Sequence, residues 1–168
     1  MIQLANILKE VTSPYKLYCD LDGVLVNFEK GYVNLTGQKP PPYGIKYDAK
    51  AFWDPIAKAG APFWVNLEWM PDGKALWNYI KPYSPSILSA PSRDKSSGEG
   101  KTLWMNQNLP GVHLILKPAS KKQELASPNS ILIDDREDNI QRWKDAGGIG
   151  IRHTSTADTI KQLKKLGL

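Results

Sequence analysis

Short apolar runs punctuate the chain at 15–20, 86–89, 112–116, 130–134 and 148–151, each bounded by polar or turn-forming residues. Runs this short, apolar at nearly every position, predict strands buried on both faces. Between the later runs the apolar positions recur at helical spacing over 99–108, 120–126, 137–146 and 156–166. Ser155 is placed to cap the last of these helices, and Gly147-Gly148 to end the one before it. Strands alternating with helices predict parallel βαβ units, hence an α/β fold with a Rossmann-like three-layer α/β/α core around a parallel sheet.

The alternation lapses between Tyr32 and Pro85. No strand pattern is present there; prolines are frequent (Pro40-Pro41-Pro42, Pro55, Pro62, Pro71, Pro82), and most tryptophans fall between Trp53 and Trp104. Helical patterns over 48–59 and 72–80, the second with Asp72 as its cap, predict a small helical cap inserted after the first strand. The expected division is a catalytic core of 1–30 and 83–168 around a cap of 31–82. The polar, glycine-bearing stretch 92–100 reads as a loop. Ile2, Leu4, Ile7, Leu8 and Val11 have the spacing of a short amphipathic helix and not the continuous apolar core of a signal peptide.

Composition changes this picture little. At 168 residues the chain is one domain with a modest insertion, and 41% hydrophobic residues suffice for a core. No apolar run approaches the roughly 18 residues of a membrane span, so no membrane association is expected. The single cysteine, Cys19, excludes an internal disulfide and suits a reducing cytoplasm. A net charge of +5, much of it in Lys161, Lys164, Lys165 and the 117–122 stretch, suits anionic ligands but gives no reason to invoke nucleic acid.

The candidate chemistry sits at strand ends. Asp20 and Asp22 fall where the first apolar run gives way to a glycine turn, Asp20-Leu21-Asp22-Gly23; Asp134-Asp135 close the run Ile131-Leu132-Ile133. Strand C-termini face the ligand crevice of an open α/β sheet, and clustered carboxylates there need a hard cation such as Mg²⁺ between them. An EF-hand is excluded because Val24-Leu25-Val26 stand where further oxygen ligands belong. Gly100-Lys101-Thr102 is no P-loop, since Lys95 occupies the position of the required first glycine.

With Asp20-Leu21-Asp22-Gly23-Val24-Leu25, then Ser89 in Ile87-Leu88-Ser89-Ala90-Pro91, then Ile131-Leu132-Ile133-Asp134-Asp135-Arg136, the chain resembles haloacid-dehalogenase (HAD) superfamily phosphatases, and among them the 5′(3′)-deoxyribonucleotidases. The resemblance spans residues 15–151. It implies Asp20 as nucleophile and Asp22 as general acid and base, with Mg²⁺ held by Asp20, the backbone carbonyl of Asp22 and Asp135, supported by Asp134. It also implies phosphate contacts from Ser89 and the Ala90 amide, and from a lysine that is either Lys121 or Lys122, the latter better spaced, with Lys117 behind both. Lys101 in Lys101-Thr102-Leu103-Trp104 would add a phosphate-side contact. Phe28 and Phe63-Trp64-Val65 match the nucleotidases' base pocket, whereas Trp53, Trp69 and Trp77 read as core. The implied partner is a small phosphomonoester, a (deoxy)nucleoside monophosphate foremost. Another small phosphate, a polynucleotide 3′-phosphate and a non-catalytic nucleotide-binding module remain alternatives, and a homodimer stays open. Ser-Ala-Pro replaces the family's Thr-Ser-Pro, removing one hydroxyl near the phosphate. His113 and His153 share no ligand spacing and read as surface or capping residues.

Overall fold

The computed structural model describes residues 13–42 and 44–168; the helix expected within 1–12 lies outside the described residues. Strands β1 (Lys16–Cys19), β2 (Ser86–Ser89), β3 (Leu114–Leu116), β4 (Ser130–Asp134) and β5 (Ile149–Arg152) form one parallel sheet in the order β3-β2-β1-β4-β5. Each expected strand is present, trimmed or shifted by a residue or two at its ends.

Strand alternation builds two apolar faces. Tyr18, Leu88 and Leu132 point to one side, where Ile140 and Trp143 of α6 (Glu137–Asp145) cover them. Leu17, Cys19, Ile87, Ile131 and Ile133 point to the other, against α4 (Gly73–Ile80), α5 (Lys95–Asn108) and α7 (Thr156–Lys165). Cys19 therefore lies in the core, as its strand position predicts, and burial pushes its thiol well above the ordinary range.

The segment between β1 and β2 contains α1 (Phe28–Thr36), α2 (Ala49–Ala59), α3 (Ala61–Val65) and α4, with no strand among its described residues. It leaves and rejoins the core as a pair of legs. Asn27 N donates to Glu68 O at 2.8 Å, and Met70 N to Leu25 O at 2.7 Å. Gly73 has no room for a side chain, since a Cβ would lie 2.7 Å from Leu25 O. α4, within the stretch assigned to the cap, packs against α7 beside the sheet.

Three local expectations fail for identifiable reasons. The 92–100 loop is largely helix: Asp94 Oδ1 accepts from Ser96 N at 2.9 Å and starts α5 at Lys95, despite two glycines in its early turns. Gly100 is demanded by packing, because a Cβ would sit 2.5 Å from Trp64 Cβ and 2.8 Å from Ala61 O on α3. Asp72 does not cap α4; its Oδ2 accepts from Thr156 N at 2.8 Å, joining α4 to α7. His153 is buried, with Nδ1 2.8 Å from Thr159 Oγ1, and is no surface residue. Ser155 does cap α7, accepting from Asp158 N.

Candidate active site

The strand order switches direction between β1 and β4: the connections after β1 and β2 run toward β3, while β4 and β5 lie on the opposite side. A crevice forms at such a point, outside the carboxyl ends of the strands. Asp20 follows β1 and Asp134 ends β4, in strands whose register pairs Cys19 with Ile133; Ser89 ends β2 on the other flank.

Asp20, Asp134 and Asp135 each present an oxygen within 4.8 Å of the other two. Lys122, 1% exposed, rises from the 3-10 turn Ala119–Leu125 and donates to Asp134 Oδ2 at 2.7 Å, with Asp20 Oδ1 at 3.1 Å. Burial opposes its charge, but the two carboxylates outweigh burial and hold its ammonium above the ordinary lysine value. Lys121 is exposed, and Lys117 pairs with Glu124 at 2.7 Å, so of the three lysines only Lys122 joins the cluster.

The three carboxylates are not equivalent. Asp134 accepts from Lys122 Nζ, from Arg136 N at 2.9 Å, and from Asn139 Nδ2 at 3.1 and 3.0 Å, which occupies its lone pairs. Asp20 Oδ1 takes the Leu21 amide at 2.8 Å as well as Lys122. Asp20 Oδ2 and the Asp135 carboxylate remain for an ion. Burial and the neighbouring Asp20 carboxylate push Asp134 up to about 6, against the pull of Lys122. Burial, Asp20 and Asp134 push Asp135 up to about 7. An all-oxygen donor set of close, mutually repelling carboxylates fits a hard divalent cation, which would relieve that repulsion. Gly23 makes the approach feasible: its φ is +77°, and a Cβ would lie 2.7 Å from Asp135 Cγ.

Asp22 projects beside this cluster. Its Oδ2 is ion-paired with Lys101 Nζ, while its Oδ1 is buried and has no hydrogen-bond partner among the described residues. Ser89 is fully buried; its hydroxyl accepts from Lys101 at 2.8 Å.

A cleft of about 960 Å³ opens over these groups. Its floor is Asp20, Asp22, Lys122, Asp135 and Asn139; Ala90, Pro91 and Ser92 border it; its far wall is Phe28, Tyr47, Phe52, Trp53 and Trp64 with the Pro40–Pro42 turn. Phe28 is the hub of that wall, with Trp64, Phe63 and Trp53 ring centroids 5.7, 5.7 and 6.4 Å away. Phe63 and Val65 do not line the cleft; Phe63 is buried behind Phe28. Ser89 and Lys101 lie beneath the cleft and outside its lining.

Sequence reasoning missed Trp53, taken as core: it is half-buried and faces the cleft, whereas Trp69 packs at a tilt against Trp104, ring centroids 5.1 Å apart. It also missed Asn139, whose signal was available, since a residue in the first turn of the helix after the Asp134-Asp135 pair returns over the strand end.

No protein-family model and no curated protein matches the chain. Solved structures do match its fold. A hydrolase from Streptococcus pneumoniae TIGR4 aligns with a TM-score of 0.55 at 15% identity, over 90% of this chain and 100% of that one. A HAD-family hydrolase from Deinococcus radiodurans R1 with bound phosphate and sodium aligns at 0.53 and 13%, over 93% and 98%. A HAD-superfamily hydrolase from Ehrlichia chaffeensis aligns at 0.52 and 12%, over 91% and 97%. The five-stranded parallel sheet with its flanking helices is thus the α/β Rossmann-like fold of HAD hydrolases.

Proposed function

We propose that the protein is a Mg²⁺-dependent phosphomonoester hydrolase that forms an aspartyl-phosphate on Asp20 and acts on nucleoside monophosphates. The observation that carries this reading is the pairing, in one cleft, of the Asp20–Asp134–Asp135 cluster and buried Lys122 with an aromatic far wall. Phosphate bound by the D. radiodurans neighbour is consistent with it.

Asp20 is the nucleophile: a bond from its carboxylate to phosphorus forms as the bond to the leaving oxygen breaks. Asp22 gives a proton to that departing oxygen, then takes one from the water that attacks phosphorus, which releases phosphate and restores Asp20. Lys122 offsets the charge of Asp20 and neutralises negative charge developing on the transferred group. Asp20 and Asp135 would hold the cation, with the Asp22 carbonyl, and Asp134 keeps Lys122 in place. Bound there, Mg²⁺ supplies Lewis-acid charge neutralisation. The Ala90 amide borders the phosphate end. Phe28, Trp53 and Trp64 offer π-faces to a nucleobase, a contact worth about 1–3 kcal/mol per base.

A phosphate-release screen over ribo- and deoxyribonucleotides, their 3′- and 5′-isomers and 3′-phosphorylated oligonucleotides tests the reading. Mg²⁺-dependent release from mononucleotides, abolished in Asp20→Asn, is the expected result. Nucleotide binding without release from any substrate would overturn it in favour of a binding module.

A further inference from the structure

Lys101 invites assignment as a phosphate ligand, but its surroundings leave no proton for one. The side chain is 2% exposed. Its ammonium donates to Asp22 Oδ2, to Ser89 Oγ at 2.8 Å and to Ala90 O at 2.8 Å, and an ammonium has three protons to give. It stands outside the lining of the cleft. The Trp64 ring covers it, with the centroid 5.0 Å from Nζ, and α3 reaches that position only because Gly100 lacks a side chain.

The geometry points to Lys101 as a positioning residue for Asp22. It clamps Oδ2 and so fixes the rotation of the Asp22 carboxyl, which lines the cleft and exchanges a proton with the leaving group and later with water. Ser89 and the Ala90 carbonyl fix the ammonium from the core side, and Trp64 closes it off from the cap side. The general acid is therefore set by both layers at once: a cap not seated on α5 leaves Lys101 hydrated and Asp22 free to turn. This inference rests on the phosphatase reading above.

The test compares phosphorylation of Asp20 by two esters, an alkyl one (a nucleoside 5′-monophosphate) whose leaving oxygen needs a proton and p-nitrophenyl phosphate, whose leaving group does not. In single-turnover experiments, Lys101→Met should lose about 100-fold or more on the nucleotide, the usual worth of a general acid, while the nitrophenol burst stays within about fivefold. Inhibition by inorganic phosphate should change by less than about twofold, since no phosphate contact is lost. Adding Lys101→Met to Asp22→Asn should cost less than about twofold more, because the clamp then has nothing to hold. That comparison also decides the matter if Lys101→Met alone does not fold, as the double variant buries no unpaired charge. Equal losses on both esters with phosphate inhibition weakened about tenfold would make Lys101 a phosphate ligand and overturn the inference. So would a further tenfold loss, roughly, from the second substitution in Asp22→Asn. Wild-type protein inert toward both esters would instead refute the phosphatase reading itself.

Discussion

Lys122→Met removes the cation that Asp20 and Asp134 share in the floor of the cleft while keeping the side chain's length. Breaking a buried ion pair by deleting one partner costs about 3–5 kcal/mol, because the other charge is left uncompensated. Here Asp134 keeps the Arg136 amide and Asn139, and Asp20 keeps the Leu21 amide, so the low end applies, about 3 kcal/mol. For a chain of 168 residues, at about 2–4 °C per kcal/mol, the melting temperature should fall by about 6–12 °C. The loss should also depend on pH in a defined direction. Without Lys122, Asp134, already held above its ordinary value by burial, loses the charge that pulls it down, so the variant regains stability as pH falls toward 5. Denaturant unfolding of wild type and variant in EDTA at pH 5 and 7.5 measures both effects, and Mg²⁺ should recover part of the loss. A penalty below about 1 kcal/mol at pH 7.5, or one that grows toward pH 5, would refute the assignment of Lys122 as the buried counter-charge.

Further outcomes are expected. In EDTA the wild-type protein should lose stability as pH rises from about 4 to 7, because Asp134 and Asp135 titrate at about 6 and about 7 when folded against 3.8 ordinarily. Burial lowers His153 and acts in the opposite sense near its ordinary 6.5, so thermal melts with and without Mg²⁺ separate the two: only the carboxylate part should vanish. Gly23→Ala should cost about 1 kcal/mol or more from its left-handed backbone alone, and should weaken Mg²⁺ binding in calorimetry through displacement of Asp135. Unchanged Mg²⁺ affinity would contradict the placement of Asp135 at the ion. Trp53→Ala should reduce kcat/KM for nucleotides about tenfold or more beyond any loss on p-nitrophenyl phosphate. Equal losses on both substrates would make this ring cap core only.

Much of this was legible in the chain because the relevant signals are local. Five apolar runs ending in carboxylates, serine or turns predict both the parallel sheet and which side chains reach its mouth, since a strand's last residue has few places to go. Asp20, Asp22, Asp134 and Asp135 gather for that reason, whereas Lys122 rises from a 3-10 turn and was legible only through the family resemblance. What escaped depends on contacts across the fold. Asp72 has the sequence of a helix cap, yet Thr156, 84 residues away, outcompetes the helix for its carboxylate. Gly98 and Gly100 argue against a helix locally, and only the packing of α3 explains Gly100. In the cap, aromatic identity does not say which ring faces inward: Phe63 and Trp53 exchanged their expected places, because the orientation of α2 and α3 against Phe28 decides it.

The central claim is the covalent step at Asp20. Mixing the protein with Mg²⁺ and a hydrolysed nucleotide, quenching in acid within the first turnovers and mapping peptides by mass spectrometry tests it directly. A hydroxylamine-labile phosphoryl group on the peptide containing Asp20, absent from Asp20→Asn, is the predicted result. Turnover with no phosphorylated peptide at any quench time, or with the phosphoryl group on another residue, would contradict the account.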